Sequence, residues 1–286
     1  MKTTKIWAFS LGFLLLCTGP TEAQNITSPS QQIYTRDQFF PILEKANVVY
    51  LGETHDSEAD HKAQLQIIQQ LHSKNPKIAI AMEMFQRPFQ EVIDDYLAGK
   101  ITEIEFFEKS EYNKRWGFPW ELYAPILRFA KANNLRVLAL NTPTEVTQKV
   151  ARGGLQGLTA QDRIYIPSNA EIRTDNEAYK NMAMEVFKQH SGAGHGNSTN
   201  FDNFFLAQVL WDETMAETIA NFAQNNPDYQ MVVLAGKGHI VYGYGIPSRV
   251  MRRVNNPNFV QRSILLNPQQ DWPLKDGPVA DFFWQN

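Results

Sequence analysis

The chain has 286 residues, 43% of them hydrophobic and 20% charged, and its 27 basic and 30 acidic side chains leave a net charge of −3. A mildly acidic chain without basic runs excludes nucleic acid and a polybasic membrane surface as partners. The single cysteine, Cys17, excludes a disulfide framework and a thiolate metal site, and the length suits one large domain.

The first residues read as a secretory signal peptide rather than as part of the fold. Lys2 and Lys5 form a short positive region, Ile6 to Cys17 is apolar, and Thr21-Glu22-Ala23 offers small residues for cleavage before Gln24. The apolar stretch is too short for a stable membrane anchor. Segment 1–23 is therefore expected to be removed, and residues 24–286 to form a single domain in the periplasm. Membrane association then depends on lipidation at Cys17, where Leu16 is bulkier than lipoprotein processing prefers.

Along the mature chain, apolar β-branched runs alternate with segments of helical period. Val48–Leu51 is the first run. Ser57–Leu71 comes next, with Ser57 and Asp60 in a capping pattern and Ala63, Ile67, Ile68 and Leu71 on one face. Ile78–Met82 is the second run, and Arg87–Trp120 reads as an aromatic-rich helical insertion. Leu122–Asn133 is a helix leading into the third run, Val137–Leu140. Segment 153–200 is polar and ends in a glycine-rich loop containing His190 and His195. Phe204–Phe222 is a long helix, and Met231–Ala235 and Ser263–Leu266 complete five runs. None alternates apolar with polar, so the expected fold is α/β, a mostly parallel sheet with helices on both faces and insertions at about 87–120 and 153–200.

Ligands of open parallel sheets bind at the carboxyl ends of the strands. Two of these ends carry the same pattern, Gly-x-x-His: Gly52-Glu53-Thr54-His55 and Gly236-Lys237-Gly238-His239. Others end in Glu83-Met84-Phe85, Asn141-Thr142-Pro143 and Asn267-Pro268. Taken singly, each is ordinary turn or capping chemistry. Taken together, they place His55, Glu83 and His239 where they could ligate a divalent metal. Glu53 and Glu83 could then serve as catalytic carboxylates of a hydrolase, with Asp56 as an outer partner, and the same groups could do acid–base work without a metal. His61, six residues after His55, does not share its helical face and reads as outer support or surface.

A second cluster lies just after His239. Tyr242, Tyr244 and Arg249 stand among flexible glycines, and Tyr165, Tyr179 and His195 add further aromatic and imidazole groups. Such a set suits a large flat ligand with acidic groups, such as haem, whose iron accepts tyrosine or histidine and whose propionates suit arginine.

At these residues the chain resembles the ChaN-like haem-binding uptake family of the Tiki superfamily. The matching stretches are Val49–Asp56, Met82–Phe85, Leu140–Pro143, Gly236–His239 and Gly245–Arg249, with Gln208, Trp211, Asp212 and Met215 also of the family's type. The resemblance implies an exported protein of haem or iron uptake, binding haem through tyrosine and stacking haems between two subunits of a homodimer. It leaves open which of Tyr165, Tyr179, Tyr242 and Tyr244 would ligate. The wider superfamily includes metal-dependent proteases whose paired Gly-x-x-His and glutamate match His55, His239 and Glu83, so a hydrolase is the alternative expectation.

Overall fold

A computed structural model describes residues 25–192, 200–268 and 277–286. The expected signal segment with Cys17, and His195, lie outside the described residues. The fold is α/β, as expected. All five expected strands form: β3 (Val48–Glu53), β4 (Ile78–Gln86), β5 (Arg136–Asn141), β6 (Gln230–Gly236) and β7 (Gln261–Leu266). They lie side by side and parallel, in the order β7-β3-β6-β4-β5.

Three further strands were not expected. The described residues open with β1 (Asn25–Thr27) and β2 (Ile33–Tyr34) and close with β8 (Phe282–Gln285). Strand β8 pairs parallel to β7, β1 antiparallel to β8, and β2 antiparallel to β1. These strands span two to four residues, too few for a period to show.

The continuous apolar runs have their expected cause, because β3, β4 and β6 are buried along their whole length and feed two cores. Val49, Leu51, Ile80, Met82, Val232 and Leu234 pack on one face against α1 (Arg36–Leu43), α2 (Glu58–Lys74), α3 (Gln90–Leu97), α4 (Glu103–Lys109), α5 (Tyr112–Arg115) and α6 (Trp120–Ala132). Val48, Tyr50, Ala79, Ala81, Met231 and Val233 pack on the other. There the cover comes from α9 (Phe201–Asn225) and α10 (Ile246–Val254). The remaining helices are α7 (Thr144–Gly153) and α8 (Glu177–Gly192). Helix α2 starts as its sequence predicts, with the Ser57 hydroxyl accepting from the Asp60 N–H at 3.2 Å.

Both insertions carry short elements. Residues 87–120 hold α3 to α5, and residues 153–176 form three single turns before α8. The glycine-tyrosine stretch after His239 is irregular only up to Gly245, since Ile246 opens α10. Among the described residues no helix is long and apolar enough to cross a membrane.

Strand β8 matters more than its length suggests. Trp284 is fully buried, with its ring 5.8 Å from Phe39 and 6.3 Å from Phe40 of α1. Trp284→Ala should lower stability by about 3–5 kcal/mol, as for other large core truncations. Chemical denaturation should show an earlier midpoint without loss of the two-state slope.

Candidate functional site

Sheet register builds the site. Strands β3 and β6 are neighbours with Glu53 opposite Gly236, and β4 lies on the other side of β6 with Met82 opposite Leu234. The carboxyl ends of the three strands therefore emerge together. His55 rides on the turn after β3, and His239 on a single turn, Lys237–His239, after β6. The two Gly-x-x-His copies do meet at one crevice.

Each histidine is backed by a carboxylate, and each carboxylate by a tyrosine. On one side, Glu53 Oε1 lies 2.9 Å from His55 Nδ1 and accepts from the Tyr123 hydroxyl at 2.5 Å, while Gln64 Nε2 donates to Glu53 Oε2. His61, nearly buried, bonds Gln64 at 3.1 Å and the His55 carbonyl at 3.0 Å, so it supports the turn from beneath. On the other side, Asp212 Oδ1 lies 2.7 Å from His239 Nδ1, and Asp212 Oδ2 accepts from the Tyr179 hydroxyl at 2.6 Å. Gln208 Nε2 sits 3.1 Å from both His239 Nδ1 and the Tyr179 oxygen. A carboxylate on Nδ1 fixes each ring's orientation and turns its Nε2 toward Glu83 and the end of β6.

Glu83 lies between the two imidazoles. Its Oε2 accepts the Gly236 N–H at 2.7 Å and its Oε1 is 3.4 Å from His239 Nε2. The Asn141 amide, an expected strand-end residue, donates to the Glu83 carbonyl at 3.0 Å and so steadies the end of β4. Gly236 is required by close approach, because a Cβ there would sit 2.9 Å from His55 Cε1 and 3.0 Å from His55 Nε2. Asp56 has no part in these bonds; the acidic group that caps the turn is Asp60, which accepts the Thr54 N–H at 2.8 Å.

The electrostatics come from burial and these contacts. Burial alone would lower the His239 pKa, but Glu83 and then Asp212 outweigh it and hold the imidazole protonated well above its usual range. Burial would raise Glu83, and the His239 charge overrides it and pulls the carboxyl down. His55 shows the same pattern more mildly: burial opposes its charge, and Glu53 and Glu83 raise it. Its side chain is 28% exposed, against 10% for His239, so His55 is the group that solvent or a ligand meets first.

Aromatic edges flank the crevice. Trp116 and Phe118 from the first insertion stand 4.8 and 5.0 Å from the His55 ring, and Trp211 stands 6.3 Å from His239. His55, Glu83 and His239 thus come together as expected. Among the described residues, however, no group of three or more His, Cys, Asp or Glu is arranged to hold a metal ion.

The expected flat-ligand residues do not gather at the crevice. Arg249 is buried, with Nε 3.2 Å from Glu213 and Nη1 donating to the carbonyls of Tyr244 and Gly245. Tyr179 is 1% exposed and committed to Asp212. Tyr244 has a buried hydroxyl and stacks at 5.2 Å on Tyr242, which holds a left-handed backbone at φ 56°. Tyr165 stands apart, half-buried at the end of the turn Asp162–Tyr165, beside Ile164, which is 64% exposed.

Sequence reasoning missed Tyr123 and Gln64 altogether and gave Asp212 and Gln208 no role. A signal for the latter pair existed. Gln208 and Asp212 fall four residues apart on a helix otherwise burying Val209, Leu210, Met215 and Ile219, and buried polar groups need partners.

The family model described as "Haem-binding uptake, Tiki superfamily, ChaN" matches residues 40–250. The chain is 27% identical over 258 residues to protein RETICULATA-RELATED 5, chloroplastic, of Arabidopsis thaliana. The match takes in 85% of this chain but only 34% of that protein's length. Among solved structures, ChaN of Campylobacter jejuni, described with cofacial haem binding, aligns with a TM-score of 0.71 at 20% identity, covering 91% of this chain and 96% of that one. An erythromycin esterase, EreC, aligns at 0.50 and 15% identity over 91% and 82%. These two likenesses speak for the fold.

The His239–Glu83 pair sets a pH window for stability. His239 is raised from 6.5 to about 10, so its contribution is full below about pH 6.5 and lost as pH rises through about 10. Glu83 is lowered from 4.5 to about 2, so its contribution is full above about pH 4.5 and lost as pH falls through about 2. The melting temperature should therefore decline from pH 6.5 to 10, and His239→Gln should flatten that decline while lowering stability at pH 6.

Proposed function

The chain belongs to the ChaN family of haem-binding uptake proteins in the Tiki superfamily, and from that premise we propose that it binds haem or a related iron compound. We place the protein in the periplasm, exported by its leader, with membrane attachment only through a lipid at Cys17. Cofacial stacking of the kind described for the Campylobacter jejuni protein would join two copies into a homodimer.

The crevice is a poor fit for a porphyrin. His55 Nε2 lies 3.0 Å from the position a Cβ would take on Gly236, so the ring nitrogen faces backbone and Glu83 rather than an open face. Tyr165 fits better, and that observation carries the reading. Among the described residues its hydroxyl has no hydrogen-bond partner, whereas the Tyr179 hydroxyl is spent on Asp212 and that of Tyr244 is buried. Its backbone is fixed, because Arg87 donates to the Tyr165 carbonyl at 3.2 Å. The exposed side chain of Ile164 next to it offers apolar surface to a flat ligand. A phenolate oxygen would supply a hard axial ligand to ferric iron, while the apolar contact would cover the macrocycle.

Hemin titrated into the protein should give a saturable Soret shift, and Tyr165→Phe should weaken binding about tenfold or more, roughly 1.4 kcal/mol. A native protein with no shift at micromolar concentration would remove the reading, and an unaffected Tyr165→Phe would move the ligand elsewhere.

The paired tyrosine–carboxylate–histidine arrangements favour a second reading, hydrolysis of an ester or peptide at the crevice. His55, with Nδ1 held by Glu53, would take a proton from water. The protonated His239, held by Asp212 and Glu83, would give one to the leaving group. If there is turnover, His55→Ala should reduce it about a hundredfold or more. The protein should be assayed on p-nitrophenyl acetate and casein, as purified and with added Mn²⁺, Co²⁺ or Zn²⁺. Lack of hydrolysis in every state would end this alternative.

A further inference from the structure

The two edges of the sheet are unlike. One ends in the two-residue β2, whereas the other ends in β5, six residues long and, among the described residues, without a strand beyond it. A side chain takes the place of that missing strand. Gln90 of α3 donates from Nε2 to the Val137 carbonyl at 2.9 Å, and its Oε1 accepts the Ala139 N–H at 2.7 Å. In a parallel ladder, a residue opposite Leu138 would bond these same two groups, donating to one and accepting from the other. The Gln90 amide therefore takes the donor and acceptor places of one residue of a ninth, parallel strand.

Beside it runs an open trench of about 660 Å³, within the range of ligand sites. Its floor is Arg136 to Leu138 of β5. One wall is α3, with Gln90 and Asp94. The other is α9, with Asn221 and Asn225, four residues apart and so on one helix face. Because α3 and α9 belong to the helix layers on opposite faces of the sheet, the trench is the slot a further strand would fill. A slot between a strand edge and a helix is the geometry in which extended peptides add to a sheet, with backbone bonds giving affinity and the walls giving selectivity. The walls carry amides, the Thr218 hydroxyl and one carboxylate around the Phe222 ring, and Arg136 holds its guanidinium between the Tyr229 and Phe222 rings at 5.6 and 5.9 Å.

We infer that the β5 edge is a docking site for an extended, polar polypeptide segment, which lies parallel to β5 between α3 and α9 and continues the ladder begun by Gln90. The site is separate from both the histidine crevice and Tyr165. Its occupant is a peptide because the only group bonded to this edge from outside the backbone ladder, among the described residues, is itself an amide in the peptide's geometry.

A hexapeptide phage library panned against the full protein tests this. Selected peptides, synthesised and titrated, should lose affinity about tenfold or more in Asn221→Trp, which fills the trench from an exposed position. Amide exchange at Val137 should slow when they bind, while that at Ala139, already bonded to Gln90, should stay unchanged. Gln90→Ala, which vacates one rung, should retain or gain affinity. Peptides that bind equally well to Asn221→Trp, or that leave the Val137 amide unprotected, would overturn the inference. So would a Gln90→Ala protein that self-associates with concentration yet binds none of them, since Gln90 would then serve only to block edge-to-edge pairing.

Discussion

The bond from the Gly236 N–H to the Glu83 carboxylate is the constraint on which the site depends. It joins the end of β6 to Glu83, three residues before β4 ends, while the Glu53–Gly236 register joins β6 to β3. Three strands are thereby tied together at the crevice. The lock works only because residue 236 has no side chain, since the space a Cβ would occupy is taken by the His55 ring. A carboxylate this deeply buried would be strongly disfavoured if isolated, and it stays ionised because a protonated imidazole is beside it. Glycine and charge pair form one arrangement, because the His55 ring fills the space a side chain at 236 would need and His239 keeps Glu83 ionised.

Around that lock the network is nearly symmetric. Tyr123, Glu53 and His55 on one side answer Tyr179, Asp212 and His239 on the other, with Gln64 bonded to the carboxylate of the first set and Gln208 beside the tyrosine and histidine of the second. The halves differ in depth. His239 is clasped between two carboxylates and stays charged, whereas His55 has one close carboxylate and an exposed flank bordered by Trp116 and Phe118. The difference separates a fixed cation from a group whose proton can exchange with a ligand entering the crevice.

Much of this was legible in the sequence because it lies where a parallel sheet concentrates its chemistry. Continuous runs such as Met231–Ala235 announce strands covered on both faces, and the residues just past the end of such a strand emerge at a predictable edge. His55, Glu83, Asn141 and His239 were found by that logic alone. Tyr123 comes from a helix, where the side facing the crevice depends on how the helix packs, and Asp212 was marked only by its apolar neighbours on α9. Arg249 was misjudged for the complementary reason: a cation one turn into α10 reads as a ligand for acidic groups, but the structure supplies Glu213 on α9 first. The short strands β1, β2 and β8 have no periodicity of their own and exist because a neighbouring edge pairs with them.

The separation of Tyr165 from the crevice bears on how the family's chemistry can coexist with this network. The Tyr165 segment is held to α9 through Arg87, which is bonded to Glu217 and Thr218. The crevice is built differently: its Nδ1 atoms are paired with carboxylates, and Glu83 tolerates burial only beside a cation. Arg87 comes directly after β4, the strand that carries Glu83. One strand end therefore sets both the crevice carboxylate and the anchor of the tyrosine segment, so a shift of β4 along its axis would disturb the two together. Substitutions confined to Tyr165 or to His55 should remain independent, because the groups share a scaffold but no hydrogen bond.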